Sequence, residues 1–433
     1  MNRKNNQPQS TQRTQSDKRQ TPLPFRSFIL CVLCVLCGLS LSGCSRDNAP
    51  KVLAENKPAE KKVVAPPSVP TWLGNPSRNF YGTGPWAADP LEVVWEFKTK
   101  AIAGRLHKDP WGGTSWPGQP SVAGERVYFP SADGNVYCLS TKDGSVIWSF
   151  KGEDSFKSTP SIFGDKIIAS GLDHTIYCLN SQDGSLVWKY KAGFEIDGSA
   201  ALIDGRLYFG CEDHFFYCLN FADGALIYKQ EVGSVEGSCT YVDDHAYCGT
   251  EQGELYCLSL FDGSIVWKSV IGGDSDSTPA VVNGFVYTAA EDGYVRCYKQ
   301  SDGTPMWKFK SIGGGHESKG AGGFWASPIV YNNRVYIGSD DGHLYCLSAA
   351  SGEKIWDYKA RIAIWGTSPI VDGRVVFGDK SGWMYMLSAE DGKRIWELKI
   401  GDNINSTPAV LNGRIYIGAF NGKLYCLGRK ENS

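Results

Sequence analysis

Three carboxylates stand 39 and 40 residues apart in the middle of the chain, at Asp197, Glu236 and Asp276. Brought together they could share a cation. Each lies three residues before a recurring proline position, occupied by Pro120, Pro160, Pro279, Pro328, Pro369 and Pro408 and replaced by Ala200 and Cys239. The series at that offset is Pro117, Lys157, Asp197, Glu236, Asp276, Trp325, Gly366 and Asn405, with Trp116 and Trp365 one step earlier. It is lopsided, with acids in its third to fifth members and tryptophans at its first, sixth and seventh. Two connections into the series are long and glycine-rich, residues 98–115 and 310–324, and carry His107 and His316. Binding concentrates on loops held by a rigid scaffold. Trp116, Lys157, Asp197, Glu236, Asp276, Trp325, Trp365 and Asn405 are therefore read as a candidate binding site, with the two histidines as candidate lids. The competing reading is that the tryptophans plug the site and the acids are solvated. No cluster has metal-ligand spacing and no base has a neighbouring nucleophile, so no residue is assigned to catalysis or to a metal.

Residues this far apart meet only if the chain keeps returning to one axis. Residues 158–188 show the unit that does this. Short runs rich in Val, Ile and Tyr are separated by turn residues such as Gly164-Asp165 and Asp183-Gly184, the pattern of a four-stranded antiparallel meander with strands a to d. The c-strand signature recurs, centred on Cys138, Cys178, Cys218, Cys257, Cys297, Cys346, Met386 and Cys426. The d-strand aromatic follows at Trp148, Trp188, Tyr228, Trp267, Trp307, Trp356 and Trp396. There are thus eight c strands but seven following d strands, and a lone d-like strand at 91–98 with nothing before it. A four-stranded repeat of this period makes a propeller or a solenoid. Only a ring has a use for the lone strand. The expectation is an all-β, eight-bladed β-propeller of four-stranded antiparallel blades over residues 89–428. Strand 91–98 completes the last blade and removes the exposed sheet edges.

Most repeated residues are explained by this fold. The Asp-Gly and Asn-Gly pairs supply positive φ at turns, and each offers one carboxylate or none where calcium wants roughly six to eight oxygens. The d-strand tryptophans wedge between blades. The c-strand cysteines sit in different blades, beyond the Cα separation of about 7 Å that a disulfide spans, and read as small buried apolar residues. Cys211, Cys239 and Cys248 are the exception, in neighbouring b and a strands, and leave room for a disulfide within the trio without choosing the pair.

The N-terminal part is of another kind. Residues 1–27 are polar and basic, and Phe28–Leu41 gives 14 mostly apolar residues, short for a membrane span and right for a signal h-region. Leu41-Ser42-Gly43-Cys44 has the form of a bacterial lipobox, so residues 1–43 are expected to be a lipoprotein signal peptide and Cys44 the lipidated residue. Ser45 after it points to the outer membrane, facing the periplasm. Residues 44–88, rich in Pro, Lys and Ala, are expected to form a disordered tether. The chain has 44 basic and 46 acidic residues, and without residues 1–43 the balance is 38 to 45, a mildly acidic surface with no footprint for nucleic acid.

The run Arg334-Val335-Tyr336-Ile337-Gly338 to Gly352-Glu353-Lys354-Ile355-Trp356 closely resembles the pyrroloquinoline-quinone (PQQ) type propeller repeat, and the resemblance covers residues 90–428. Some members of that group are quinoprotein dehydrogenases that hold PQQ and Ca²⁺ at the channel mouth. Others are similar to BamB, an eight-bladed outer-membrane lipoprotein without cofactor that scaffolds β-barrel assembly. The compact length, lipobox and uninterrupted blades resemble the second class. The resemblance therefore implies a non-catalytic scaffold for protein partners of the cell envelope, anchored by lipid alone, monomeric and free of cofactor. The alternatives are a PQQ- and Ca²⁺-dependent alcohol or sugar dehydrogenase, and a periplasmic ligand-binding propeller. The dehydrogenases' long insertions and adjacent-cysteine pair are missing here, which counts against catalysis.

Overall fold

The structure, a computed structural model, describes residues 68–86, 90–100, 118–313 and 322–429. The expected signal peptide, Cys44, His107, Trp116, Pro117 and His316 lie outside those residues.

Strands Ser161–Phe163, Lys166–Gly171, Thr175–Asn180 and Leu186–Lys191 pair antiparallel as a, b, c and d of blade 2. The same order recurs in eight sheets. In the eighth, Glu92–Lys98 is the d strand and pairs with Lys423–Gly428. Trp95 faces Cys426 across that ladder as Trp188 faces Cys178, with a bulge just before the tryptophan in both. The first long strand is therefore the missing eighth d strand, and it closes the ring as expected.

The d-strand aromatics join blade to blade. The Trp148 indole N–H donates to the Ser181 carbonyl of the next blade at 3.1 Å, and Trp95 donates to Thr141 at 3.0 Å. The Tyr228 hydroxyl does the same to Leu260 at 2.8 Å. The c–d turn glycine of the next blade packs under the ring. Gly184 has φ +74°, and a Cβ there would lie 2.6 Å from the Trp148 indole. That glycine is thus required for contact as well as for its φ. The seven c-strand cysteines are buried and free, and burial pushes the Cys178 thiol up to about 11, as a small apolar role requires. Turn carboxylates are engaged within their own blades, with Asp133, Asp213 and Asp341 each accepting from a c-strand tyrosine hydroxyl at 2.6 Å.

Of the trio Cys211, Cys239 and Cys248, the last two form a disulfide and Cys211 is free. Cys239 precedes the a strand Thr240–Val242, and Cys248 lies in the b strand His245–Gly249. The register pairs Thr240 with Tyr247, which sets the two cysteines opposite each other with Cα atoms 4.8 Å apart.

The expected disordered tether is corrected over residues 68–86, which pack against the inner strands. Ser68–Val69 adds a fifth strand to blade 1 through Val122 and Ala123. Residues beyond it then cross the axis. Pro70 accepts from the Ile162 amide in blade 2, Pro76 from Tyr241 in blade 4, and the Trp86 indole donates to Val371 in blade 7. Arg78, 1% exposed, holds the crossing in place. Its guanidinium donates to the carbonyls of Ser199, Cys239 and Trp72 and to the Thr71 hydroxyl, at 2.9–3.2 Å. Burial lowers its pKa to about 10. Val69, Leu73 and Tyr81 of the segment are buried in the core, and its Pro- and Gly-rich composition hid that packing.

Candidate functional site

The ring of site residues is built from the start of each a strand. In blades 2 to 8 a Ser or Thr stands at this height, one residue before the proline position or, for Thr367, two, and several of these hydroxyls accept from the backbone of the preceding blade. Thr159 N–H donates to Ser199 Oγ at 3.0 Å, Ser199 to Ser238 at 2.8 Å, Thr278 to Ser327 at 2.9 Å, Ser327 to Thr367 at 3.0 Å, and Thr367 to Thr407 at 3.1 Å. This belt fixes the height of successive a strands around the axis. One step before it the blades almost touch, and a Cβ at Gly237 would lie 2.4 Å from the Asp276 carbonyl oxygen. Residues one step further out must then converge.

They do. Lys157, Asp197, Glu236, Asp276, Trp325, Trp365 and Asn405 line one cavity of about 130 Å³, with Trp72 of the N-terminal crossing also in its wall. Lys157 is the single cation among the described residues that line it, with Nζ 3.5 Å from Asp197 Oδ2. Asn405 is 7% exposed, and neither its amide nitrogen nor its oxygen has a hydrogen-bond partner among the described residues.

The acidic side is larger than the series read from sequence. Oxygens of Glu195, Asp197 and Glu212 lie within 4.8 Å of one another. The Asp276 carboxyl interacts most strongly with those of Glu236 and Asp274. With Glu251 and Glu291, eight carboxyl groups belong to blades 3 to 5. Burial, reinforced by Asp197 and Glu236, pushes Glu212 up to about 9. Burial and Asp197 push Glu236 up to about 8. Burial together with Glu236 and Asp274 holds Asp276 well above the carboxylate range, and burial with Glu291 raises Asp274 to about 6. Such a cluster holds protons at neutral pH and favours any cation that enters.

The opposite side is aromatic. Trp325 and Trp365 stack with centroids 4.9 Å apart and planes at 18°. The Trp365 indole donates to Asp340 Oδ1 at 2.7 Å, and Lys380 Nζ sits 3.2 Å over the Trp365 ring.

Glu212, Glu251, Glu291, Asp340 and Lys380 were missed by sequence reading, although a signal exists. Each follows a b strand by two residues, at the start of the b–c turn, and in blades 1, 2 and 8 that position holds Ala132, Leu172 and Phe420. Their amides bond the d–a connections, Glu212 to Glu195, Glu291 to Asp274 and Lys380 to Ala363. A second ring therefore lies beside the first, and the alignment that found the first would have found it too.

A family model described as "Outer membrane protein assembly factor BamB" matches residues 87–238, 215–321 and 295–433. No curated protein matches the sequence. Among solved structures, BamB from Moraxella catarrhalis is similar at 18% identity over 80% of this chain and 99% of that one, with a TM-score of 0.62. A europium-containing methanol dehydrogenase is similar at 13% identity over 84% and 98%, with a TM-score of 0.68. A quinohemoprotein alcohol dehydrogenase from Comamonas testosteroni is similar at 12% identity over 85% and 82%, with a TM-score of 0.69. At these identities the structures share the fold, and a fold hosts many functions.

Proposed function

The chain belongs to the outer membrane protein assembly factor BamB family, and from that premise we propose that it is a non-catalytic, protein-binding scaffold of the bacterial envelope. In this reading Cys44 carries the lipid, the propeller is a monomer on the periplasmic side of the outer membrane, and the partner is a barrel-assembly component or a nascent outer-membrane protein. The mouth carries the reading. Its cavity of about 130 Å³ is walled by two tryptophans stacked on each other and by the N-terminal Trp72. Pockets for drug-sized ligands run from about 300 Å³ upwards. PQQ is a tricyclic group of that class, larger than the cavity that the described residues line. No redox step is derived for this chain.

The test is a pull-down from detergent-solubilised membranes together with deletion of the gene. Co-purification of an assembly component, with reduced outer-membrane protein levels in the deletion strain, is expected. Neither effect appearing would end the scaffold reading. Dye-linked alcohol or sugar oxidation after adding PQQ and calcium would establish the dehydrogenase instead. Labelling with radioactive palmitate, lost in Cys44→Ala, tests the anchor separately.

A further inference from the structure

We propose that the acidic half of the mouth is a receptor for one basic side chain, a lysine or arginine presented on an extended segment of the partner. The inference rests on the scaffold reading and names the partner chemistry at that same site.

Charge is the first observation. Asp197, Glu236 and Asp276 enter the cavity and five more carboxyl groups surround them, whereas Lys157 is the single cation among the described residues lining it. Unfilled hydrogen-bonding capacity is the second, and it is independent of charge. Among the described residues Asp276 Oδ1 is buried without a partner, and so are both polar atoms of Asn405 on blade 8. Buried polar atoms without partners are costly, and a ligand that meets them recovers that cost. A guanidinium or ammonium donates to Asp276 Oδ1 and to Asn405 Oδ1. The Asn405 NH₂ needs an acceptor, which a peptide carbonyl beside the basic side chain supplies. A bare metal ion has no acceptor to offer it, so the pair of requirements favours a peptide. Volume is the third observation. A cavity of about 130 Å³ equals roughly four water molecules, room for the end of one side chain and not for a folded element.

Entry of a cation should also expel protons. Glu236 and Glu212 are held up to about 8 and 9 by burial and by their acidic neighbours, so both carry protons at neutral pH in the empty mouth. Lys157 acts in the opposite direction on Glu236.

The experiment is isothermal titration of the full chain at neutral pH with acetyl-Gly-Arg-Gly-amide and with its citrulline counterpart, in two buffers of different ionisation enthalpy. Arginine peptide binding about tenfold or more tighter than citrulline, with net proton release, is expected. Glu236→Gln/Asp276→Asn and, from the opposite wall, Asn405→Ala should each weaken the arginine peptide about tenfold, with circular dichroism unchanged. Equal binding of the two peptides overturns the proposal, as does indifference to both variants. Calcium chloride alone binding more tightly than the peptide, and losing affinity in Glu236→Gln/Asp276→Asn, also overturns it and makes the acids a metal site. Equal capture of an envelope protein by wild type and Glu236→Gln/Asp276→Asn, without peptide discrimination, would sink this inference and leave the scaffold reading standing. Peptide discrimination without any captured protein would do the reverse.

Discussion

Glu212 and Glu236 make the protein's stability depend on pH in an uncommon direction. In the folded state they keep protons up to about 9 and about 8, because burial and nearby carboxylates penalise their charged forms, against an ordinary value of 4.5. Between those limits the folded state binds more protons than the unfolded one, so stability falls as pH rises. The penalty is absent below the ordinary value and complete above the raised one. Thermal melts of the full chain should therefore show a midpoint that declines between pH 5 and 9. Glu236→Gln cannot ionise, so its melts should decline less and exceed wild type at the alkaline end. Parallel curves for wild type and variant would show that Glu236 ionises freely in the fold. The mouth residues were legible because a repeat turns an odd residue into a signal, and Asp197 stands out only against Lys157 and Asn405 at the same offset. Glu212 lies in the turn after a b strand, where Asp213 beside it accepts from Tyr217 and accounts for the local chain without it.

At the scale of elements, the N-terminal crossing and the blade 4 hairpin each carry a device that repeat counting does not reveal. The crossing occurs once, so no second copy exposes it, and its composition is that of a linker. Arg78 gives it away only in three dimensions, through carbonyls that come from residues 121 and 161 positions along the chain. Arg78→Ala leaves the Ser199 and Cys239 carbonyls without their donor, and hydrogen bonds from charged groups are strong. A loss of about 3 kcal/mol or more in urea unfolding is expected. Arg78→Lys should recover only part, because an ammonium cannot span the same fork of acceptors. The disulfide could be narrowed to three cysteines and no further, since choosing Cys239 with Cys248 needs the a–b register that places them opposite. With a sequence separation of 9, its bond should contribute about 2–3 kcal/mol. Replacing both cysteines by alanine should lower the free energy of urea unfolding by that amount. Mass spectrometry of the denatured, unreduced chain should find two fewer alkylatable thiols than after reduction.

The whole molecule depends on one long-range closure. The four strands a to d of blades 1 to 7 each come from consecutive chain, whereas blade 8 joins Glu92–Lys98 to Lys423–Gly428 across more than 300 residues. Until that pairing forms, blade 8 lacks its outer strand and its c-strand edge is open. Trp95 carries much of the closure: it is 8% exposed, faces Cys426 within blade 8 and bonds the Thr141 carbonyl in blade 1. Trp188 has the same register and the same kind of bond to the following blade, but between blades that are already continuous. Trp95→Ala should cost about 3–5 kcal/mol, the usual loss for a large buried aromatic, and truncation of the half-buried Trp188 somewhat less. They should differ in where the loss appears. Trp95→Ala should raise amide hydrogen exchange in Lys423–Gly428 and in blade 1 before the rest of the ring, because opening the closure needs no other blade to unfold. Trp188→Ala lies inside the continuous arc and should speed exchange only with global unfolding. Identical exchange patterns in the two variants would mean that the ring has no preferred opening point, and that strand 92–98 is one blade edge among eight.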